Sequence, residues 1–355
     1  MSELPADFSK STCPLPLPHI DRIVMGHGSG GKMSHDLIAR LFLPPLDNPI
    51  LRAGDDSGVV DISTGTRLAI STDAHVVSPL FFPGGDIGRL AVCGTVNDVA
   101  MMGATPLYLT AGFIMEEGLE VSLLQKVVAS MQTAAREAGV YIVAGDTKVV
   151  QKGNADGLYI TTSGVGTIPP GVDIGGAKAK PGDVIILSGP IGDHGIAVLV
   201  ARGELGFEAD VKSDVAPLNH LVEAMLNVSR GSIHVLRDPT RGGLATTLNE
   251  IAHQSQVGIV IHEQNIPVRP AVAAVCEILG FDPLYVANEG KLVAIVDRGI
   301  ADQILSSIRN THYGEEAVVI GEVQDAPRSR VLMKTTIGST RVVDMLSGEM
   351  LPRIC

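Results

Sequence analysis

The sequence predicts an α/β protein built as two domains, and three observations carry that expectation. The chain has 355 residues, more than a single hydrophobic core ordinarily serves. Hydrophobic residues make up 45% of it but aromatic residues only 3%, so the cores must be packed from Ala, Val, Ile and Leu between glycine turns. Strand-length β-branched runs alternate with longer amphipathic stretches over most of the sequence.

Each element has its own signal along the chain. Residues 1–19 carry Pro14, Pro16 and Pro18 in alternation, and each proline removes a backbone donor, so the segment reads as a flexible arm. The first domain, 20–166, opens with a glycine loop and a helix over 34–43. It continues with strand 67–71, helix 87–102, strand 107–115, helix 122–138, and strands 140–144 and 158–165. Pro-Pro-Gly, Gly-Gly and Pro-Gly punctuate 167–182, which marks a linker. The second domain, 183–345, begins with strand 184–188. Helices at 195–202, 215–228, 244–254, 271–279 and 301–309 then alternate with strands at 258–262, 292–296 and 317–322, before late strands at 330–334 and 340–344. The tail, 346–355, is expected to move freely, with Pro352 barring a helix.

A net charge of −12 without clustered Lys or Arg argues against nucleic acid or an anionic membrane as partner. No apolar run reaches the roughly 18 residues a membrane span needs, and no leader pattern opens the chain, so a cytoplasmic protein is expected. Cys13, Cys93, Cys276 and Cys355 never form CxxC, which disfavours disulfides and structural zinc. Cys93 and Cys276 fall inside apolar helical patterns and read as inert core thiols. Cys355 is different. At the end of Pro352-Arg353-Ile354-Cys355 it is expected to belong to neither core nor strand, so its value is chemical: a thiol that can be carried to a partner or into a pocket.

Candidate chemistry recurs along the chain. Gly26-His27-Gly28-Ser29-Gly30-Gly31-Lys32 offers unhindered backbone N–H groups and a cation suited to phosphate oxygens. It fits GxGxxG without a preceding strand, and GxxxxGK with Met33 where a Walker loop needs Ser or Thr; a plain glycine linker also stays open. Asp55, Asp56, Asp73, Asp98 and Asp146 stand where loops meet strands or helices. Singly each suits a cap or turn, but together they offer the hard oxygens that Mg²⁺ takes beside a polyphosphate. Lys148 can offset charge on a transferring phosphoryl group. Arg241, Gly242 and Gly243 stand at the positive end of a helix, a phosphate neighbourhood. Glu289 lies in a turn before strand 292–296. His27, His75 and His194 lack a second ligand at metal spacing and read as hydrogen-bonding residues with no catalytic role.

Taken together, His27 to Lys32, Asn97-Asp98-Val99-Ala100, Gly145-Asp146-Thr147-Lys148, Asp238 to Gly243, Asn288-Glu289-Gly290 and the Pro-Arg-Ile-Cys end resemble the HypE hydrogenase maturation factors. The resemblance covers nearly everything after the Pro-rich arm. It implies the PurM-like fold of the aminoimidazole ribonucleotide synthetase superfamily, with N-terminal domains pairing strands across a homodimer and ATP in a groove there. It further implies that a HypF-type carbamoyltransferase loads Cys355, that this chain dehydrates the load to a thiocyanate with ATP and Mg²⁺, and that the cyanide passes to iron on a HypC and HypD complex. On that basis Gly28, Ser29, Gly30, Gly31, Lys32, Asp73, Asn97, Asp98, Asp146, Thr147, Arg241 and Gly242 are expected at the nucleotide. Asp55, Asp56, Asp73, Asp98 and Asp146 are expected at the metal, and Cys355, Lys148 and Glu289 at the reacting group. A selenophosphate synthetase is disfavoured because the glycine loop has Ser29 and no Cys, and a small-molecule kinase of the superfamily has no use for Cys355. A non-enzymatic carrier of a modified Cys355 is the rival from a different class.

Overall fold

The computed structural model describes residues 23–62, 65–203, 205–206, 208–346 and 354–355; the Pro-rich arm, Cys13 and residues 347–353 lie outside them. In the first half, α1 (Lys32–Leu37) runs through a π-helical turn, Ile38–Phe42, into α2 (Leu43–Leu46), and α3 (Pro49–Ala53) comes next. Then come β1 (Gly58–Ile62), β2 (Thr66–His75), the short pair β3 (Phe81–Phe82) and β4 (Gly85–Asp86), α4 (Ile87–Met101), β5 (Thr105–Glu116), α5 (Val121–Ala138), β6 (Tyr141–Val150) and β7 (Leu158–Ile168). The second half comprises β8 (Val184–Leu187), α6 (Asp193–Ala201), α7 (Asn219–Val228), β9 (Ile233–Arg237), α8 (Gly243–Gln254), β10 (Gly258–His262), α9 (Pro270–Leu279), β11 (Val293–Val296), α10 (Ala301–Arg309), β12 (Val318–Gln324), β13 (Arg330–Lys334) and β14 (Thr340–Val343).

Two mixed sheets result, ordered β1-β2-β7-β5-β6 and β14-β13-β10-β12-β8-β11-β9. Pairing is antiparallel except for β5 with β6 and β10 with β13. The β5/β6 pair is parallel because α5 supplies the crossover that two parallel neighbours require. In the first sheet β7 alternates buried and open positions, the mark of a strand with one face on a core. In the second, β8, β9 and β11 are buried at every residue, because helices cover both faces.

Helix α4 is the central support between the two halves. Nearly all of its residues are buried, which an apolar pattern all round the helix demands. Its start is fixed by Asp86, whose carboxylate accepts from the backbone N–H of Gly88 at 2.7 Å and of Arg89 at 3.2 Å, and from Ser130 Oγ of α5 at 2.5 Å. One continuous core joins the halves: Ala69, Val99 and Met101 of the first pack with Ile186, Leu221 and Leu236 of the second. Each of the larger side chains among them, from valine upward, contributes roughly 1.5–3 kcal/mol on burial. Val172 and Ile174, in the stretch expected as linker, belong to the same core.

Some boundaries differ from expectation, for physical reasons. Strand β2 reaches His75 and β6 reaches Val150, so Asp73 and Asp146 to Lys148 lie within strands rather than in loops after them. Helix α7 starts at Asn219 rather than 215 because Pro217 holds the residue before it out of helical conformation. Strand β1 and the β3/β4 pair carry no long alternation, and the sequence does not reveal them.

Candidate active site

A cavity of about 630 Å³ opens where the glycine loop, the end of β2 and the start of α8 meet; its walls include Gly28, Ser29, Val76, Arg241, Ala287 and Cys355. Contrary to expectation, the last two residues are seated in it. Ile354 forms an antiparallel bridge with Val77, and the main-chain N–H of Val76 donates to the main-chain oxygen of Cys355 at 2.8 Å. The Ile354 side chain is 5% exposed and joins the core of the first domain, against which Cys355 also packs. An apolar residue one step before the thiol therefore gives it a core anchor, while Cys355 itself, half-buried, packs against that core and belongs to no strand. Burial pushes its thiol up to about 12; Arg241 opposes this, while Glu289 and Asp73 reinforce it. Seated here, Cys355 is a protonated thiol and a weak nucleophile.

The carboxylates around it are mutually frustrated. Asp98 lies inside α4, not at an exposed turn, and its Oδ2 accepts from Ser71 Oγ at 2.6 Å. Burial first, then Asp238, Asp73 and Asp56, raise Asp98 well above the usual carboxylate range. Asp238 is raised by burial and Asp56, and Glu289 by burial, Asp73 and Asp238. Asp56 is pushed up to about 6 by burial, against the ion pair it makes with Arg237. Glu289 is held rigidly: its backbone N–H donates to Asp214 Oδ1 at 3.0 Å, and a Cβ on Gly290 would stand 1.7 Å from the Asp214 carbonyl oxygen, so only glycine lets the loop close. Its Oε1, with Asp56 Oδ2 and Asp238 Oδ2, is buried without a hydrogen-bond partner. Such hard, unpartnered oxygens suit a divalent cation, which would relieve the repulsion among them. No three His, Cys, Asp or Glu side chains stand ready as a metal chelate among the described residues, so any such ion must share its shell with water or phosphate.

The glycine loop packs on the second domain. The N–H of Lys32 donates to the Leu346 carbonyl oxygen at 2.9 Å, and a Cβ on Gly31 would stand 2.3 Å from that same oxygen. Arg241 Nη1 donates to the Gly28 carbonyl at 3.0 Å, and Lys32 Nζ is ion-paired with Asp344 at 2.9 Å. The N–H groups of Gly30 and Gly31 reach Ser34 Oγ and Ser29 Oγ.

Several expected site residues stand elsewhere in the chain. Asp146 and Lys148 pair with each other at 2.6 Å on exposed β6, with Thr147 between them. In register, β6 lies three strands from β2, about 14 Å from the row of Asp73 and His75. One chain therefore does not bring Lys148 to Cys355 and Glu289. Asp55 Oδ1 accepts from the Gly176 N–H at 2.7 Å, and Asn97 is a clamp between domains, donating to Ala216 O at 3.1 Å and accepting from Leu218 N at 2.8 Å. Both are engaged in structure rather than aimed at the cavity. Arg237, which balances Asp56, carries no signal in the sequence, and His194, expected as a hydrogen-bonding residue, is one, with a partner the sequence does not reveal: its Nε2 lies 2.6 Å from the Ile354 carbonyl oxygen. The only signal for His194 was its place in the first turn of a helix. Cys93 and Cys276 are buried thiols pushed up to about 12 and about 11, chiefly by burial, as their patterns suggested.

The halves of the chain match known domains: residues 54–168 fit the N-terminal domain of AIR synthase related proteins, and residues 180–334 fit their C-terminal domain. Carbamoyl dehydratase HypE of Cupriavidus necator is 58% identical over 334 residues, covering 94% of this chain and 95% of that protein. A crystal structure of a HypE–HypF complex superimposes with a TM-score of 0.83 at 50% identity, covering 87% of this chain and 99% of the other. A structure of HypE in complex with ATP does so at 0.78 and 52% identity, covering 94% of this chain and all of the other. With PurM-like domains in both halves and identity of this order along almost its whole length, the chain belongs to the carbamoyl dehydratase HypE family.

Proposed function

We propose that this protein is an ATP-dependent carbamoyl dehydratase acting on its own Cys355, and that it supplies cyanide for the iron of [NiFe] hydrogenase. The observation that carries the reading is the seating of Cys355 in a nucleotide-sized cleft beside Arg241 and a buried, unpartnered Glu289. A HypF-type partner, as in the solved complex of a relative, would load the thiol as S–C(=O)NH₂. The carboxamide oxygen then attacks the γ-phosphorus of ATP and expels ADP, while the nitrogen gives up one proton. Loss of phosphate breaks the C–O bond as the second nitrogen proton leaves, and S–C≡N forms. In its ionised form Glu289 is the group on hand to take the first of these protons, since its carboxyl lies within electrostatic reach of Cys355 and its Oε1 has no hydrogen-bond partner, and the departing phosphate takes the second. Arg241, with Gly28 and Ser29 of the glycine loop on the cavity wall, would orient phosphate oxygens, whereas the N–H groups of Gly30, Gly31 and Lys32 and the Lys32 ammonium are engaged within the protein. When bound, Mg²⁺ supplies charge neutralisation at the phosphates, and Asp73 and Asp98 with Asp56 are the residues to hold it.

Lys148, Thr147 and Asp146 enter this reading through a homodimer. Their strand β6 is an unpaired sheet edge with open apolar side chains, which a second copy would cover. A HypC and HypD complex would receive the cyanide, and a cytoplasmic setting would keep Cys355 a free thiol. No helix among the described residues is long and apolar enough to cross a membrane.

The experiment is intact-mass measurement of the full chain after loading by the carbamoyltransferase. Loss of one water on adding MgATP, and no loading at all in Cys355→Ala, are expected. A loaded protein that keeps its mass with MgATP while hydrolysing it would be a carrier, and the dehydratase reading would fall.

A further inference from the structure

His194 was expected to be an ordinary hydrogen-bonding residue, but its partner is the tail. It is the second residue of α6 and wholly buried. Nε2 lies 2.6 Å from the Ile354 carbonyl oxygen and Nδ1 lies 2.8 Å from Ser213 Oγ. A carbonyl oxygen only accepts, so Nε2 carries the proton and Nδ1 must accept from the Ser213 hydroxyl. The N–H of Val215 donates to that same Ser213 oxygen at 3.1 Å, which leaves the hydroxyl hydrogen for the ring. The chain of donors therefore runs one way, from Val215 through Ser213 and His194 to the tail. Burial holds the imidazole below its ordinary pKa, with Asp214 opposing, in keeping with a neutral ring. Phe82 meets the ring edge-on at 5.5 Å between centroids and limits its rotation.

A buried imidazole is a costly way to fill a core unless both nitrogens are satisfied, and here one is satisfied only while residue 354 is docked. The bond falls on the peptide oxygen immediately before Cys355, so it fixes the last backbone link before the sulfur. The Val76 N–H holds the main-chain oxygen on the other side of that residue. We propose that His194 is a positioning residue that latches the C-terminal tail in the cleft and sets where the Cys355 sulfur stands. The inference rests on the reading of Cys355 as group carrier, yet the latch can be measured without any turnover.

The test is iodoacetamide labelling of the native full-length chain, followed residue by residue by peptide mass. Buried Cys93 and Cys276 serve as internal reporters of unfolding. His194→Ala is expected to raise the rate at Cys355 about ten-fold, the effect of losing one buried hydrogen bond, with Cys93 and Cys276 still protected. His194→Gln, whose amide N–H can take the place of Nε2–H, is expected to stay within about two-fold of the unaltered chain. In protein loaded at Cys355, ATP-driven water loss should slow in the alanine variant and recover in the glutamine variant. A Cys355 rate in His194→Ala equal to that of the unaltered chain, or glutamine no better than alanine, overturns the latch. If His194→Ala exposes Cys93, Ser213→Ala decides: faster labelling confined to Cys355, by about three-fold, supports the latch, and an unchanged rate overturns it. If labelling responds as expected but the unaltered loaded chain loses no water, the latch stands and the dehydratase reading fails.

Discussion

Asp98 lies within a buried helix among other carboxylates, so its removal should affect stability and turnover in opposite directions. Its carboxyl is raised by burial and by Asp238, Asp73 and Asp56, so at neutral pH the fold holds either a reluctant charge or a proton. Asn in its place keeps an oxygen for the Ser71 hydroxyl and removes the repulsion. Asp98→Asn is therefore expected to raise the Tm by roughly 1–2 °C, as a gain of about 1 kcal/mol does in a chain of 355 residues. ATP turnover should fall at least about ten-fold, as when a carboxylate serving a metal is lost. Thermal scans and phosphate release check the pair, and normal turnover would remove Asp98 from the metal. At this scale much of the site was legible: Cys355, Arg241, Asp98 and Glu289 stand in motifs whose residue types already suit phosphate and proton chemistry. His194 was not, because its partner is a main-chain oxygen 160 residues away, and a lone histidine has no spacing to betray it.

Strand β6 shows how an element can be half legible. Its first residues have the β-branched composition of a strand, and 140–144 reads as one. From Gly145 onward, Gly-Asp-Thr-Lys carries polar turn residues and no alternation, so it reads as a loop although the strand continues to Val150. A strand exposed along nearly all of its length has no buried face to impose a period of two. That same exposure gives a prediction about assembly. Tyr141, Val143 and Val149 are 71%, 59% and 67% exposed on an unpaired edge, an arrangement proteins rarely leave uncovered. If a second copy covers this edge, Val143→Lys buries an unpaired ammonium, and the dimer dissociation constant should rise at least about a hundred-fold. Sedimentation velocity over a concentration series would register this as a shift to monomer, with the protomer still folded. A Val143→Lys protein that sediments as the unaltered chain does would show that β6 is not the interface. Lys148 and Asp146 ride on this strand, so their access to a nucleotide depends on the same result.

Across the whole molecule, the arrangement of the two domains was the least legible feature, since a core that takes in both Val99 and Leu236 has no periodicity along the chain. A polar cleft lined by Asp193, Ser213, Asp214, Arg269 and Lys291 is equally hidden. There Asp193, at the start of α6, accepts from Arg269 Nε at 3.0 Å while its Oδ1 has no partner, and Asp214 and Lys291 stand nearby at 3.3 Å from each other. Burial, then Asp214, push the Asp193 carboxyl up to about 6 from an ordinary 3.8, with Arg269 opposing. The folded protein thus binds this proton more tightly than the unfolded chain does. Its contribution to stability is fully present below about pH 4 and is lost as pH rises through about 6, a change of at most about 3 kcal/mol. Asp193→Asn keeps an oxygen for Arg269 and cannot titrate, so its unfolding free energy should not share that fall. The difference between the unaltered chain and Asp193→Asn, taken from urea unfolding at steps between pH 4 and pH 7, isolates this group, because every other carboxylate titrates in both proteins. Stability of the unaltered chain should fall relative to the variant as pH climbs from about 4 to about 6 and then run parallel to it. Curves that stay parallel throughout would mean that Asp193 keeps its ordinary affinity for protons, and that Arg269 alone offsets the cost of burying it.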